Sequence, residues 1–315
     1  MPRVVPTETE DAIALGDLVE MLETQPFDAR DEECFASWGP ALKKLANNRS
    51  FLGDLIVEEL KNDCEEQLRN NQYTPQVIML HTRSKKFMIR ANFWPAMTDS
   101  VVHNSGASPF FYGVPHDHSF SFLTVGYLGS GYWSEYYEYD YESVAGYTGE
   151  KVDLRFVEKA RLDRGKVMLY RAHKDVHNQL AADDMSISLN IAESSHSIPF
   201  RDQYRFDTAR SGVAGIISVL SLESLLAISA HFGGANGQDL IDDFAARHPS
   251  DRVRFHALRA RASTATDLDT RLGLFEQAAR GSSPFLSAMA AQEAARIEKG
   301  RAWIEAGPRP LQPLA

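Results

Sequence analysis

Cysteine is scarce in this chain of 315 residues: Cys34 and Cys64 are the two that occur. Both fall in segments with helical patterning and they form no Cys-x-x-Cys pair. A thiolate metal site and a disulfide framework therefore have no basis, and a reducing, cytoplasmic setting is expected. No stretch approaches 18 consecutive apolar residues, and no apolar run follows a basic start, so neither a membrane span nor a secretory leader is expected. Positive charge is in deficit, with 33 Lys and Arg against 43 Asp and Glu and a formal net charge of −10. General binding to nucleic acid or to an anionic membrane needs a basic footprint that this balance does not provide. Also missing are a Walker loop, a Gly-x-Gly-x-x-Gly turn and a serine nucleophile elbow, so nucleotide-dependent transfer and serine hydrolysis lack their usual anchors.

What is present divides into three stretches. Residues 1–8 read as a frayed arm. From residue 10 onward Ile13, Leu15, Leu18, Val19 and Leu22 fall at helical spacing, and Trp38, Leu42, Leu45, Phe51, Leu52, Leu55, Ile56 and Leu60 continue it. Residues 1–75 are thus expected to be helical. At Gln76 the period changes. Strands are expected at 77–80, at 86–94, through residue 127, at 132–141, 151–158 and 166–170, and at 185–191, where Met185, Ile187, Leu189 and Ile191 alternate with Ser186, Ser188 and Asn190. A polar loop over 99–115 and turns at Gly129-Ser130-Gly131 and Asp163-Arg164-Gly165 punctuate them. This β region, 76–208, calls for a sandwich or barrel. In residues 209–315 helices are expected at 213–232, 239–248, 251–262, 267–280 and 284–306, followed by a mobile tail at 307–315. The fold class is α+β.

The most informative stretch is Pro115-His116-Asp117-His118, which leads into Ser-Phe-Ser-Phe-Leu-Thr-Val. If the strand already runs at His116, period-two alternation turns both imidazoles to one face, where they can grip one metal ion while Asp117 points away. A third ligand must come from another strand. His177 is the candidate, with His173, four residues earlier, as the alternative. Three neutral imidazoles without a thiolate suit Fe(II), Zn, Cu, Ni or Mn. Iron so held keeps three positions for substrate and O2, whereas zinc with a bound water gives hydrolytic or hydrating chemistry. Glu135 and Glu138 are candidates for a carboxylate fourth ligand or for a hydrogen bond to an imidazole. The tyrosine run at 132–141, with Tyr137 in it, is expected to line a substrate mouth. His103 and His196 are expected in loops.

The arrangement resembles the cupin superfamily, whose first motif runs Gly, His-x-His, Glu, Gly. Gly113, His116, His118 and Gly129 match, while Phe122 and Leu123 stand where the Glu belongs. In the second motif Gly165 and His177 match, Arg171 replaces the Pro, and the spacing is one residue longer. A three-His site without the Glu looks most like the cysteine dioxygenase (thiol dioxygenase) group. The strand at 86–94 with its long loop into His-Asp-His, and Ser-Ile-Ser-Leu-Asn-Ile at 186–191, add to the likeness, which covers 76–200. The resemblance implies a central double-stranded β-helix (jelly-roll) barrel between the N-terminal helices and the C-terminal helical region. It also implies a mononuclear Fe(II) oxygenase in which Arg90 holds a substrate carboxylate and Ser188 belongs to the reactive set. That group's Ser-x-His-x-Tyr reads Ser188, Asn190, Ala192 here, so the metal site carries over better than the thiol substrate does.

The expectation is therefore an oxygenase that acts on a small-molecule or peptide substrate with O2. His116, His118 and His177 hold Fe(II), or Zn, Ni, Mn or Cu in its place, and Arg90, Tyr137 and Ser188 serve the chemistry. The C-terminal helices are expected to pair two copies or bind a protein partner. The competing expectations are a non-redox cupin that binds a ligand or protein, and a Zn- or Ni-dependent isomerase or hydrolase.

Overall fold

Alternation of apolar residues builds most of the β structure. The computed structural model describes residues 2–305 apart from Gln72, Pro75, His196, Ser197, Pro199 and Phe200, so the expectations for His196 and the tail fall outside the described residues. The strands are β1 (Arg3–Val5), β2 (Val77–His81), β3 (Phe87–Trp94), β4 (Phe122–Leu128), β5 (Trp133–Glu138), β6 (Arg155–Arg161), β7 (Val167–Tyr170), β8 (Asp175–Leu180), β9 (Ser186–Glu193), β10 (Tyr204–Asp207) and β11 (Gly212–Ile216). They form a six-stranded sheet in the order β1-β7-β4-β9-β3-β2, a three-stranded sheet β6-β5-β8 and the pair β10-β11. Every pairing between named strands is antiparallel. The chain divides into two compact units, 1–144 with 151–218, and 145–150 with 219–315.

In the first unit the central strands are buried on both faces. Ile187, Leu189 and Ile191 of β9 join Leu123, Val125, Ile89 and Val167 against helices α1 (Leu15–Thr24), α2 (Glu32–Ala36), α3 (Gly39–Asn47) and α4 (Phe51–Lys61). Those helices contribute Leu18, Leu22, Phe35, Leu42 and Leu45, all fully buried. Each such side chain stabilises the fold by about 2 kcal/mol. The opposite face carries Trp94, Phe122, Met168, Tyr170 and Ala192, which meet Tyr132, Tyr136 and Leu162 from the three-stranded side. Two glycines fix the join. A Cβ on Gly126 would lie 2.3 Å from the Asp163 carbonyl oxygen, and one on Gly131, at φ +84°, would lie 2.0 Å from that of Leu162.

Four local expectations change. The arm at residues 1–8 contains β1, whose Arg3, Val4 and Val5 pair with Leu169, Met168 and Val167 of β7. Beyond α5 (Glu65–Asn70), the loop at 99–115 holds α6 (Ser100–Ser105), which carries His103. The strand after His118 starts only at Phe122. The helix expected from 213 is β11 instead, paired with β10 through a register shift, and α7 begins at Ser221. In the second unit α7 (Ser221–Phe232), α8 (Gly234–Arg247) and α9 (Asp251–Ser263) enclose Leu226, Ala230, Ile241, Val253 and Ala257; α10 (Leu268–Ala279) and α11 (Pro284–Glu305) follow. Ser250 and Asp267 cap α9 and α10 by accepting the Val253 and Thr270 N–H groups. Among the described residues no helix is long and apolar enough to cross a membrane.

Candidate metal centre

His116 and His177 are brought together by backbone, not by a continuous strand. Each N–H donates to the other's carbonyl at 3.0 Å, an isolated antiparallel bridge that sets both side chains on one face. His118 stands just before β4, its carbonyl accepting the His173 N–H at 2.9 Å. Asp117 faces the other way and is fully buried. One carboxylate oxygen accepts the Tyr139 hydroxyl at 2.6 Å and the other the Tyr204 N–H at 2.6 Å. The His-Asp-His segment is thus fastened from behind while its imidazoles face inward.

The three Nε2 atoms converge. His118 Nε2 lies 3.0 Å from His177 Nε2, which lies 3.3 Å from His116 Nε2. Nitrogens bound side by side to one ion at about 2.0–2.1 Å are separated by about 3.0 Å in octahedral and about 3.3 Å in tetrahedral geometry. The Nδ1 of His116 contacts the Val114 carbonyl at 2.7 Å, so it carries the proton and its Nε2 presents a lone pair. Burial holds His116 below the usual imidazole range and His118 and His177 well below it; the charge of Arg90 adds to the shift for the latter two. The donor set is therefore three neutral imidazoles, as a divalent metal requires. The Nδ1 atoms of His118 and His177 are buried without a partner, and a cation shared by the three Nε2 lone pairs offsets the cost of bringing those nitrogens together. The residues present fit a metal.

A cavity of about 350 Å³ adjoins the cluster; His116, His118, Gln179, Arg90, Asn92 and Trp94 line it, with Tyr73, Phe111 and Phe120 in its wall. Arg90 of β3 is 6% exposed. Its guanidinium lies over the rings of Tyr73, Phe120 and Phe122 at 4.9, 5.7 and 6.0 Å, and its Nε has no hydrogen-bond partner. Among the described residues no carboxylate pairs with it. A buried guanidinium without a counter-ion costs several kcal/mol, which an anion entering the cavity offsets.

Other expected residues are placed elsewhere. Tyr137 pairs with Val176, whereas Tyr136 pairs with His177, so Tyr137 points to the opposite face of β5, against Phe156 at 5.3 Å. Its place in the reactive set is corrected by this one-residue parity. The Ser188 hydroxyl accepts the Trp94 indole N–H at 2.9 Å and positions that ring. His173 sits at φ +58° with its ring 4.0 Å from Tyr141 and 3.7 Å from Asp117, behind the segment and outside the cluster. Glu135 accepts from the Asn178 amide, and Glu138 is held by Arg155 and Arg171, so neither carboxylate reaches the imidazoles. Two residues at the site escaped the sequence reading. Gln179 follows His177 by one strand period, and Tyr170 stacks on Phe122 with its ring 5.0 Å from His177. The Tyr170 and Tyr136 hydroxyls meet at 2.9 Å. Burial pushes Tyr136 up to about 12 and Tyr170 well above its usual range, so both remain phenols.

No protein-family model and no curated protein sequence matches the chain. Among solved structures it is similar to procruciferin, an 11S globulin from Brassica napus, at 8% identity over 41% of this chain and 28% of that one, with a TM-score of 0.25. It is also similar to hydroquinone 1,2-dioxygenase PnpCD in complex with Cd2+ and 4-hydroxybenzonitrile, at 11% identity over 40% and 68% of the two chains, with a TM-score of 0.25. A third is a cupin protein from Bacteroides fragilis, at 16% identity over 40% and 80%, with a TM-score of 0.23. The chain spans less than a third of the globulin's length.

Proposed function

We propose that this chain is a mononuclear non-haem Fe(II)-dependent oxygenase of the three-His cupin type, with the two sheets closing as a jelly-roll barrel around His116, His118 and His177. The convergence of three neutral Nε2 donors beside a cavity that also holds an uncompensated Arg90 carries this reading. The metal, when bound, supplies a template for substrate and O2 and the electrons for oxygen chemistry. The chain's own residues do the rest. Arg90 binds a negatively charged group of a small-molecule or peptide substrate, and the aromatic wall of Tyr73, Phe111 and Phe120 orients its apolar part and excludes water. Trp94, fixed by Ser188, closes one side. A volume of about 350 Å³ suits a small ligand.

The same neutral donor set also accepts zinc or nickel, which makes isomerase or hydrolase chemistry the second reading. Metal analysis combined with oxygen uptake decides. We expect iron in purified protein, its loss when His116 and His118 become Ala, and O2 consumption with an anionic organic substrate. Turnover without oxygen would replace the oxygenase by a hydrolase or isomerase, and protein that never takes up a divalent metal would leave a non-redox binding cupin. The unpaired thiols of Cys34 and Cys64 support a cytoplasmic location. The helices of 219–315 are assigned to a protein partner or a second copy, and a chain ending at residue 218 is expected to keep its metal site but change in oligomeric state.

A further inference from the structure

The three imidazoles leave open what occupies the position that a carboxylate fills in the related first motif, where Phe122 and Leu123 stand in this chain. We propose that the side-chain oxygen of Gln179 is the fourth protein ligand of the metal. The proposal rests on the metal-centre reading above and concerns the ion's coordination, not the reaction.

Gln179 lies two residues beyond His177 on β8 and therefore on the same face. It is 5% exposed and lines the cavity. The end of its amide is 3.2 Å from His177 Nε2, within the 3.0–3.3 Å spacing that separates the imidazole nitrogens from each other. Its Oε1 is buried with no hydrogen-bond partner. The NH2 end lies against His177 Nε2, the atom whose lone pair a cation takes. Once an ion is there, an amide NH2 beside it is repelled, and a half-turn about the terminal torsion exchanges it for the oxygen. That torsion is two-fold, and nitrogen and oxygen have almost the same shape, so the exchange needs no backbone movement. The orphaned Oε1 gains a partner in the same step. Glu135 lies on the opposite face of its strand, bound to Asn178, and Glu138 is held by Arg155 and Arg171, so neither competes.

A neutral amide oxygen leaves the full dipositive charge on the ion, where a Glu would cancel part of it. The metal and Arg90 then both attract an anionic ligand into the cavity, so a Gln ligand favours negatively charged substrates.

Full-length protein loaded with Co(II) tests this through its ligand-field absorption and through the Kd from titration. Gln179→Leu is expected to weaken Co(II) binding about ten- to a hundredfold, the range for lost support at a metal site, and to alter the visible bands. Gln179→Glu is expected to bind more tightly than wild type with shifted bands, and thermal melts of the metal-free variants establish that each folds. Should Gln179→Leu fail to fold, Gln179→Glu decides alone. Wild-type bands and wild-type Kd in the folded variants would overturn the assignment while the His centre stands. No Co(II) uptake by wild type, or undiminished uptake by His177→Ala, would instead remove the metal centre, and the assignment with it.

Discussion

The two faces of the six-stranded sheet are made by the same strands and have opposite characters. Across β3, β9 and β4 the register aligns Ile89, Ile191 and Leu123 in one row and Ala91, Leu189 and Val125 in the next, all toward the helices. One residue along, the aligned rows are Arg90, Asn190 and Thr124, then Asn92, Ser188 and Gly126. On the helix-covered face of these three strands the polar groups are satisfied: Glu193 accepts from Arg30 and the Tyr127 hydroxyl donates to the Arg49 carbonyl. On the cavity face Arg90 Nε, Asn92 Oδ1 and Thr124 Oγ1 are buried without one. Stability and binding capacity are thus separated by a single residue of register. The apolar face pins that register, because a slip would turn every side chain over.

Perturbing one face at a time tests that separation. The largest effect is expected from pH on the metal-free protein. Burial holds His116, His118 and His177 below the ordinary imidazole pKa of about 6.5 in the folded state. Their contribution is complete above pH 6.5 and is lost as pH falls toward the folded values. The loss is about 1.4 kcal/mol per group for each pH unit in that window, visible in urea unfolding, and bound metal should suppress it by holding the rings deprotonated. On the helix face, Leu189→Ala is expected to cost about 3 kcal/mol of unfolding free energy while leaving metal affinity unchanged. A loss of metal along with stability would mean the two faces are coupled. Arg90→Met is expected to do the reverse, raising stability by about 2 kcal/mol, since an uncompensated charge gives way to an apolar side chain, while weakening binding of anionic substrate. The smallest effect belongs to Ser188→Ala, about 1 kcal/mol from the lost Trp94 bond, read as a small fall in melting temperature with metal still bound.

The sequence made the double-faced strands legible because β9 alternates strictly and β4 is a run of β-formers between two turns. The three candidate ligands were legible because few residue types bind divalent metals: His116 and His118 precede β4, and His177 follows the run at 166–170, although the strand that carries it, β8, was not expected. What stayed hidden depends on long-range pairing. Three residues at 3–5 carry no pattern of their own, and only β7 makes them a strand. Residues 212–216 resemble the start of the following helix until β10 supplies a partner. Tyr137 and Tyr136 are indistinguishable within a tyrosine run, and the pairing of Tyr136 with His177 settles which one faces inward. The shared face of His116 and His118 was argued on the condition that the strand already runs at His116, whereas a two-residue bridge and a loop place them, with the strand beginning only at Phe122. Gln179 gave no signal, because a Gln two residues after a His is ordinary until the spacing around Nε2 is measured.

Asp117 makes the region behind the cavity mechanically continuous with it. Its carboxylate is clamped by the Tyr139 hydroxyl and the Tyr204 backbone, and its own N–H donates to the Tyr204 carbonyl at 3.2 Å. The histidines on either side therefore inherit their aim from β10 and from the tyrosines at its flank. A substitution at Tyr139, never exposed to the cavity, would tilt two imidazoles at once, so the lever for adjusting this centre lies on the far side of the wall it appears in.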